Sequence, residues 1–247
     1  MTDVRLGMVV TIGQWQLVVS GNRVSVAEAL KLSPDILRVL QEGPVRGLEL
    51  MLAGRLVLHA SSVAVGERAV AILGSAGAGK SSLSTMLTRS AGWLVSDGMT
   101  SIDLDERAVD TGLSRFKLSD EALRNLGEDP EQFERVSSMD PKRYYPFLSE
   151  QPAQSSRLAA IFHLVEGTEL SLRRLEPSEQ LVFLTAHGYL SNFLPASYRP
   201  VIWERTQRLM QAVPDIFELR RPRGWEHMPS VVRCVLDQVS QLQTSPP

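Results

Sequence analysis

The sequence predicts an α/β fold: a mixed, partly antiparallel sheet flanked by helices and built round one glycine-rich loop. Three observations predict it. An apolar run, Val70-Ala71-Ile72-Leu73, precedes the loop, and Leu83, Met86 and Leu87 follow it at helical spacing. Short runs of β-forming residues recur along the chain, several joined at glycine turns, which suits antiparallel neighbours. Stretches with one apolar helical face fall between and after them and supply cover for a sheet.

Taken in order, residues 4–10, 15–20 and 24–26 are short apolar segments separated by Gly13 and Gly21-Asn22, a small β meander. Ser33-Pro34-Asp35 opens a helix to Gln41, with Ser33 as N-cap, Pro34 as first helical residue and Gly43 as stop. A second helix, 45–54, ends at Gly54. Residues 56–65 read as one strand that turns through Gly66-Glu67-Arg68 into the 70–73 strand as a hairpin. A helix over 82–88 ends at Gly92, Trp93 to Asp97 is a strand, and two short strands follow around 100–104 and 107–111. Ser119 and Asp120 open a helix within 118–126. Residues 127–157, with Pro130, Pro141, Pro146 and Pro152, are the least regular part: a lid, a substrate loop or a disordered segment. Residues 158–165 and 169–173 read as a hairpin across Gly167. Helices over 176–189, 198–212 and 229–243 and a strand over 216–220 complete the chain, and the tail 244–247 should fray. The expected organisation is a core domain of 56–243 with the meander and helices of 1–55 packed on it.

Composition narrows the function classes. The chain has 247 residues, 43% of them hydrophobic, enough for a sizeable core. The formal net charge of −2 gives no general attraction to nucleic acid. The sequence has no apolar run of membrane-spanning length, and Met1-Thr2-Asp3-Val4-Arg5 does not begin a signal peptide, so a cytoplasmic protein without a membrane partner is expected. Cys234 sits in an apolar helical pattern and reads as core.

The loop carries the strongest chemical signal. Gly74, Gly79, Lys80 and Ser81 match G-x-x-x-x-G-K-[ST], the P-loop, in the required strand–loop–helix setting. Glycines let the backbone turn sharply and bring N–H groups close to an anion. The backbone of Gly74, Ser75, Ala76, Gly77, Ala78 and Gly79, with Lys80, Ser81 and Ser82, would cradle the phosphates of ATP. Lys80 would reach the β- and γ-phosphates, and Ser81 would offer its hydroxyl to Mg²⁺. The glycine spacing does not fit a dinucleotide fingerprint. Asp97 lies 17 residues beyond Lys80, at the end of a strand on the same edge as the loop. It reads as a Mg²⁺ ligand, as the base for an acceptor hydroxyl, or as a turn former.

The runs Leu58-His59-Ala60-Ser61-Ser62-Val63-Ala64-Val65, Gly74 to Leu83, and Leu94-Val95-Ser96-Asp97 together resemble the catalytic domain of HPr kinase/phosphorylase, over residues 56–98. Beyond that core, Arg115, Lys142-Arg143 and Arg173-Arg174 look like features of short HPr-kinase-like relatives, some of them peptide-tailoring kinases of lasso-peptide clusters. The resemblance implies transfer of the γ-phosphoryl group of ATP to a serine hydroxyl of a peptide or protein. Asp97 would take the hydroxyl proton, His59 would sit in the active site and orient it, and Arg115, Lys142, Arg143 or Arg173 would contact phosphate or substrate. A homo-oligomer is compatible with it. The sequence departs from the pattern in two places: only 58 residues precede His59, and Gly98 stands where the family has a second aspartate. The second departure puts phosphorylase activity in doubt. The rival readings are a kinase for a small metabolite and a nucleotide-binding switch or ATPase. The absence of an Asn-Lys-x-Asp motif argues against a guanine switch and favours ATP over GTP. Without a Leu-Ser-Gly-Gly-Gln signature, a transport ATPase is not expected. His163, His187 and His227 lack metal-ligand spacing and read as structural or surface residues, and Arg220, Arg221 and Arg223 as surface charges.

Overall fold

The computed structural model describes residues 6–113, 115–147, 155–213 and 215–244. Three antiparallel strands come first, β1 (Leu6–Ile12), β2 (Trp15–Ser20) and β3 (Arg23–Val26), in that spatial order. Alternation sets their faces: Leu17 and Val19 are buried, while Gln16 and Ser20 are exposed. Helices α1 (Pro34–Leu40) and α2 (Arg46–Leu52) follow. The meander, α2, Val57 and Ile202 share one apolar cluster, which joins this unit to the rest.

Gly43 does not stop the first helix. The backbone runs through a π-helical stretch, Gln41–Val45, straight into α2. The wider turn accommodates Pro44, which has no N–H to donate. Tyr189 lies against this segment: a Cβ on Gly43 would stand 3.2 Å from its hydroxyl, and one on Gly47, at the start of α2, 2.4 Å from its ring.

The main sheet is assembled from β4 (Leu56–Leu58), β5 (Ala60–Val65) and β6 (Arg68–Leu73); then, after α3 (Lys80–Ala91), β7 (Trp93–Ser96), β8 (Thr100–Asp103) and β9 (Ala108–Val109). A separate hairpin pairs β10 (Arg115–Leu118), which leads into α4 (Asp120–Asn125), with β11 (Arg143–Pro146). The chain returns to the main sheet with β12 (Ser156–Glu166) and β13 (Ser171–Arg174). It ends with α5 (Pro177–Ala186), α6 (Arg199–Ala212), β14 (Ile216–Arg221) and α7 (Met228–Thr244). The strand order is β4-β8-β9-β12-β6-β5-β7, with β14 beside the later half of β12 and β13 beyond it.

The sheet is mixed, as its sequence predicts. β12 runs parallel to both β6 and β14. β5 is antiparallel to both β6 and β7, so β6 and β7 point the same way and the residues after them leave by the same edge. Alternating side chains divide between two cores: Ala69, Ala71 and Leu73 of β6 face a cluster with Leu184 of α5 and Leu209 of α6, while Val70 and Ile72 face Leu83 of α3 and Val235 of α7. Helices therefore cover both faces. No helix among the described residues is long and apolar enough to cross a membrane.

Two strand expectations are corrected. Residues 56–65 are not one strand: the chain steps at His59, so that β4 pairs with β8 and β5 with β6. Residues 158–173 are not a hairpin either, because β14 inserts between β12 and β13 and pairs with both. The reason is apolar burial: Ile216, Phe217 and Leu219 are all buried, and an interior position between two strands is where such a segment is dry on both faces.

Candidate functional site

The site begins where β6 gives way to α3. In the loop between them, Gly74, Gly77 and Gly79 hold φ of 153°, 80° and 96°, values that L side chains rarely adopt. At Gly74 space is also lacking: a Cβ would stand 2.6 Å from the Leu164 carbonyl of β12. The Ala78 N–H donates to the Ser75 carbonyl at 3.2 Å, closing the turn that also contains Ala76. The first bond of α3 runs from the Leu83 N–H to the Gly79 carbonyl, 2.8 Å. The amides of Lys80, Ser81 and Ser82 thus have no intrahelical acceptor, and the positive end of the helix dipole lies at the loop.

Lys80 is buried within this turn. Its Nζ donates to the carbonyls of Gly74 at 2.9 Å and Ser75 at 3.1 Å. Burial lowers its pKa and the charge of Lys142 adds to the effect, with Asp97 opposing both. The ammonium is therefore held by neutral acceptors that an anionic ligand would outcompete.

Asp97, one residue past β7, gathers three donors. Its Oδ1 accepts the hydroxyls of Ser81, at 2.8 Å, and Ser61. Its Oδ2 accepts the backbone N–H of Lys117, 2.9 Å away. Neighbouring residues form a separate buried hydroxyl cluster, in which Thr100 meets Ser62 at 2.6 Å and Ser96 at 3.1 Å. Gly98 continues the turn at φ 79°, a conformation in which an aspartate would be strained.

The β10–β11 hairpin sorts the basic residues by face. Phe116 and Leu118 point into an apolar cluster with Leu123. Arg115 and Lys117 take the opposite face, with Tyr144 directly across from Lys117. Arg115 ion-pairs with Glu42 and lies over the Tyr144 ring, 3.9 Å from its centroid. Lys117 is half-buried; burial lowers its pKa, while Asp97, Glu42 and Asp140 oppose that shift. Lys142 is exposed but lies within electrostatic reach of both Lys80 and His59.

His59 occupies the step between β4 and β5. Its N–H donates to the His187 carbonyl at 2.9 Å, and its ring faces that of Tyr189 with centroids 6.3 Å apart. The residue as a whole keeps contact with solvent, while neighbouring protein partly desolvates its ring. That burial, then the charges of Lys80 and His187, push its pKa down to about 4. His163, beside Leu73 in register, stacks on Phe183 at 3.9 Å, and its pKa is likewise lowered to about 4 by burial.

Lys80, Ser81, Asp97 and His59 are thus brought to one edge, with Lys142 within electrostatic reach. Arg143 and Arg173 are not. The buried Arg143 guanidinium turns the other way and binds Asp120, Glu131 and the Phe133 carbonyl. Arg173 sits on the surface in a two-pronged contact with Glu179 at 2.8 and 2.9 Å and a further pair with Glu218. Arg115 stands one step removed, beyond Lys117.

Four neighbours of the site escape the sequence reading. Ser61 and Lys117 reach Asp97 only through the β5–β7 pairing and the hairpin. His187, read as structural or surface, bonds the Phe183 carbonyl through Nδ1 at 2.9 Å and lies close enough to the Gly74 carbonyl for that group to influence its titration. Arg221, read as a surface charge, is half-buried against the loop and donates to the Ala78 carbonyl at 2.7 Å. The parallel register of β6, β12 and β14 alone puts it there.

Among the described residues no group of three or more His, Cys, Asp and Glu side chains forms a metal site. Ser81 and Asp97 nonetheless offer two hard oxygens in contact, a donor set that suits Mg²⁺ when phosphate and water complete the shell.

No family model and no curated protein matches this chain. Among solved structures it is similar to the HPr(Ser) kinase/phosphatase from Coxiella burnetii, with a TM-score of 0.36, 10% identity, and coverage of 76% of this chain and 98% of that one.

Proposed function

We propose that the chain is an ATP–Mg²⁺-dependent kinase that transfers the γ-phosphoryl group to a hydroxyl, most simply a serine of a peptide or protein. The observation that carries the reading is the meeting of the Ser81 hydroxyl with the Asp97 carboxylate, beside a glycine loop that already holds Lys80. Phosphoryl transfer needs this kind of equipment: donors and cations around the phosphates, and a carboxylate at the attacking oxygen. The serine and peptide parts of the proposal rest on the sequence resemblance.

In this P-loop the amides of 80–82 and the Lys80 ammonium bind the β- and γ-phosphates, with Lys80 exchanging its loop carbonyls for phosphate oxygens. Ser81, with help from Ser82 or Asp97, would hold Mg²⁺, which would neutralise phosphate charge. The acceptor oxygen forms a bond to the γ-phosphorus as the bond to the bridging oxygen breaks, and ADP leaves with those electrons. The acceptor proton passes to an Asp97 oxygen. His59, uncharged at neutral pH, accepts or donates one hydrogen bond beside the carboxylate and adds no charge there. Lys142 supplies a further positive charge over the phosphates.

The test is ATP–Mg²⁺ titration of the wild type and of Lys80→Ala, followed by labelled transfer to serine peptides. Binding that is lost in Lys80→Ala is expected, together with label on a serine hydroxyl. Unchanged affinity in that variant would overturn the nucleotide site. Label on a small metabolite and on no peptide would replace the peptide acceptor.

A further inference from the structure

Arg221 ends β14, the last strand of the chain, and sequence alone gives it no task. In the fold its guanidinium is wedged under the loop that follows β6. One Nη donates to the Ala78 carbonyl at 2.7 Å and the other to the Pro222 carbonyl at 3.1 Å. A Cβ on Gly79 would stand 2.5 Å from that first Nη, so the guanidinium packs on the backbone of Gly79 itself. Its Nε is buried without a partner among the described residues. The backbone from which it projects is fixed, because the Arg221 carbonyl accepts the Gly167 N–H at 2.8 Å and its strand pairs with β12.

From this geometry we infer that Arg221 is a positioning residue that sets the direction of the Gly79 N–H in the phosphate loop. The step is stereochemical. In a trans peptide the carbonyl of one residue and the N–H of the next point in opposite directions. Tying the Ala78 carbonyl to Arg221, on the outside of the loop, turns the Gly79 N–H away from Arg221 and toward the side on which an anion would sit. A flip of the Ala78–Gly79 peptide changes ψ of Ala78 and φ of Gly79, and the glycine tolerates φ of either sign, so the tie to Arg221 removes a freedom that the local sequence leaves open. Arg221 touches no phosphate; it acts through the backbone. The inference rests on the nucleotide reading above only for its consequence on affinity, not for the orientation itself.

The two parts are tested separately in protein labelled with ¹⁵N-glycine. In ligand-free protein, Arg221→Met is expected to move the Gly79 amide resonance, because the carbonyl of the same peptide has lost its donor. Arg220→Met serves as the control: Arg220 is exposed and paired with Glu218 at 3.0 Å. It should leave that resonance in place. On ATP–Mg²⁺ addition, Arg221→Met should bind about tenfold or more weakly than wild type, the loss expected for a hydrogen bond from a charged donor. The Gly79 resonance should then respond to ligand less than it does in wild type. An unmoved Gly79 resonance in ligand-free Arg221→Met, or ATP affinity within about twofold of a binding wild type, overturns the inference. A wild type that binds no ATP overturns the nucleotide reading alone, and the ligand-free comparison still decides the orientation. Should Arg221→Met fail to fold, Arg221→Ala, which likewise removes the donor to the Ala78 carbonyl, is read in the same way.

Discussion

Asp97 accepts three hydrogen bonds from three separate elements, β5, α3 and β10, and this makes it sensitive to small changes. Asp97→Asn keeps the size but loses the charge and the basic lone pair. Turnover should fall about 10²–10⁴-fold if the carboxylate takes the acceptor proton, with ATP affinity little changed; steady-state labelled transfer and nucleotide titration measure the two. A large loss of ATP–Mg²⁺ affinity would instead make it chiefly a metal ligand, and full turnover would remove it from the mechanism. Ser61→Ala is milder, because one of three donors is lost and the other two remain. It should reduce turnover by roughly tenfold at most, in line with about 1 kcal/mol for one hydrogen bond. An unchanged rate would show that Ser61 serves packing only.

At the scale of elements, the α2 and α5 ends couple to the site through Tyr189. Gly47→Ala would drive a methyl into the Tyr189 ring, which faces His59. Overpacking of this kind destabilises by about 1–3 kcal/mol, visible as a lower urea midpoint with unchanged slope; a midpoint equal to wild type would mean that Tyr189 yields freely. The end of β12 carries a pH prediction. His163 titrates at about 4 in the fold, against an ordinary value near 6.5 in the unfolded chain. The unfolded chain thus binds more protons between those values, so stability is full above pH 6.5 and declines as pH falls toward 4. His59 adds in the same direction. Replacing His163 by Phe keeps the stack on Phe183 and removes the titration. Denaturation midpoints across pH 4–7 should then slope less steeply than in wild type, and an identical slope would rule His163 out as a cause.

Across the whole molecule, the loop, Asp97 and Arg221 leave the sheet at one edge because β6, β7 and β14 share a direction. A ligand that binds there ties together segments from distant parts of the chain. ATP–Mg²⁺ at about 100 times its dissociation constant should raise unfolding free energy by roughly 2.7 kcal/mol, and Lys80→Ala should remove most of the shift. A thermal midpoint that rises equally in both proteins would mean that the nucleotide binds elsewhere.

What the sequence by itself determined is local. The strand–loop–helix from Val70 to Leu87, the meander, and Ser119 as an N-cap that accepts from the Ala122 N–H all follow from periodicity, glycine placement and capping, each a matter of a few adjacent residues. The loop and its Lys-Ser pair were legible for the same reason: their spacing is the geometry. Tertiary structure decided whatever depends on which strands become neighbours. It broke 56–65 at His59, inserted β14 between β12 and β13, and carried α1 through Gly43 because Tyr189 packs there. It likewise chose among cations that look alike in sequence. Arg143 and Arg173 were drawn into ion pairs away from the site, while Arg221 and Lys117 were brought to it, since a basic residue is placed by its strand's partners and face, and neither is written in the residue itself.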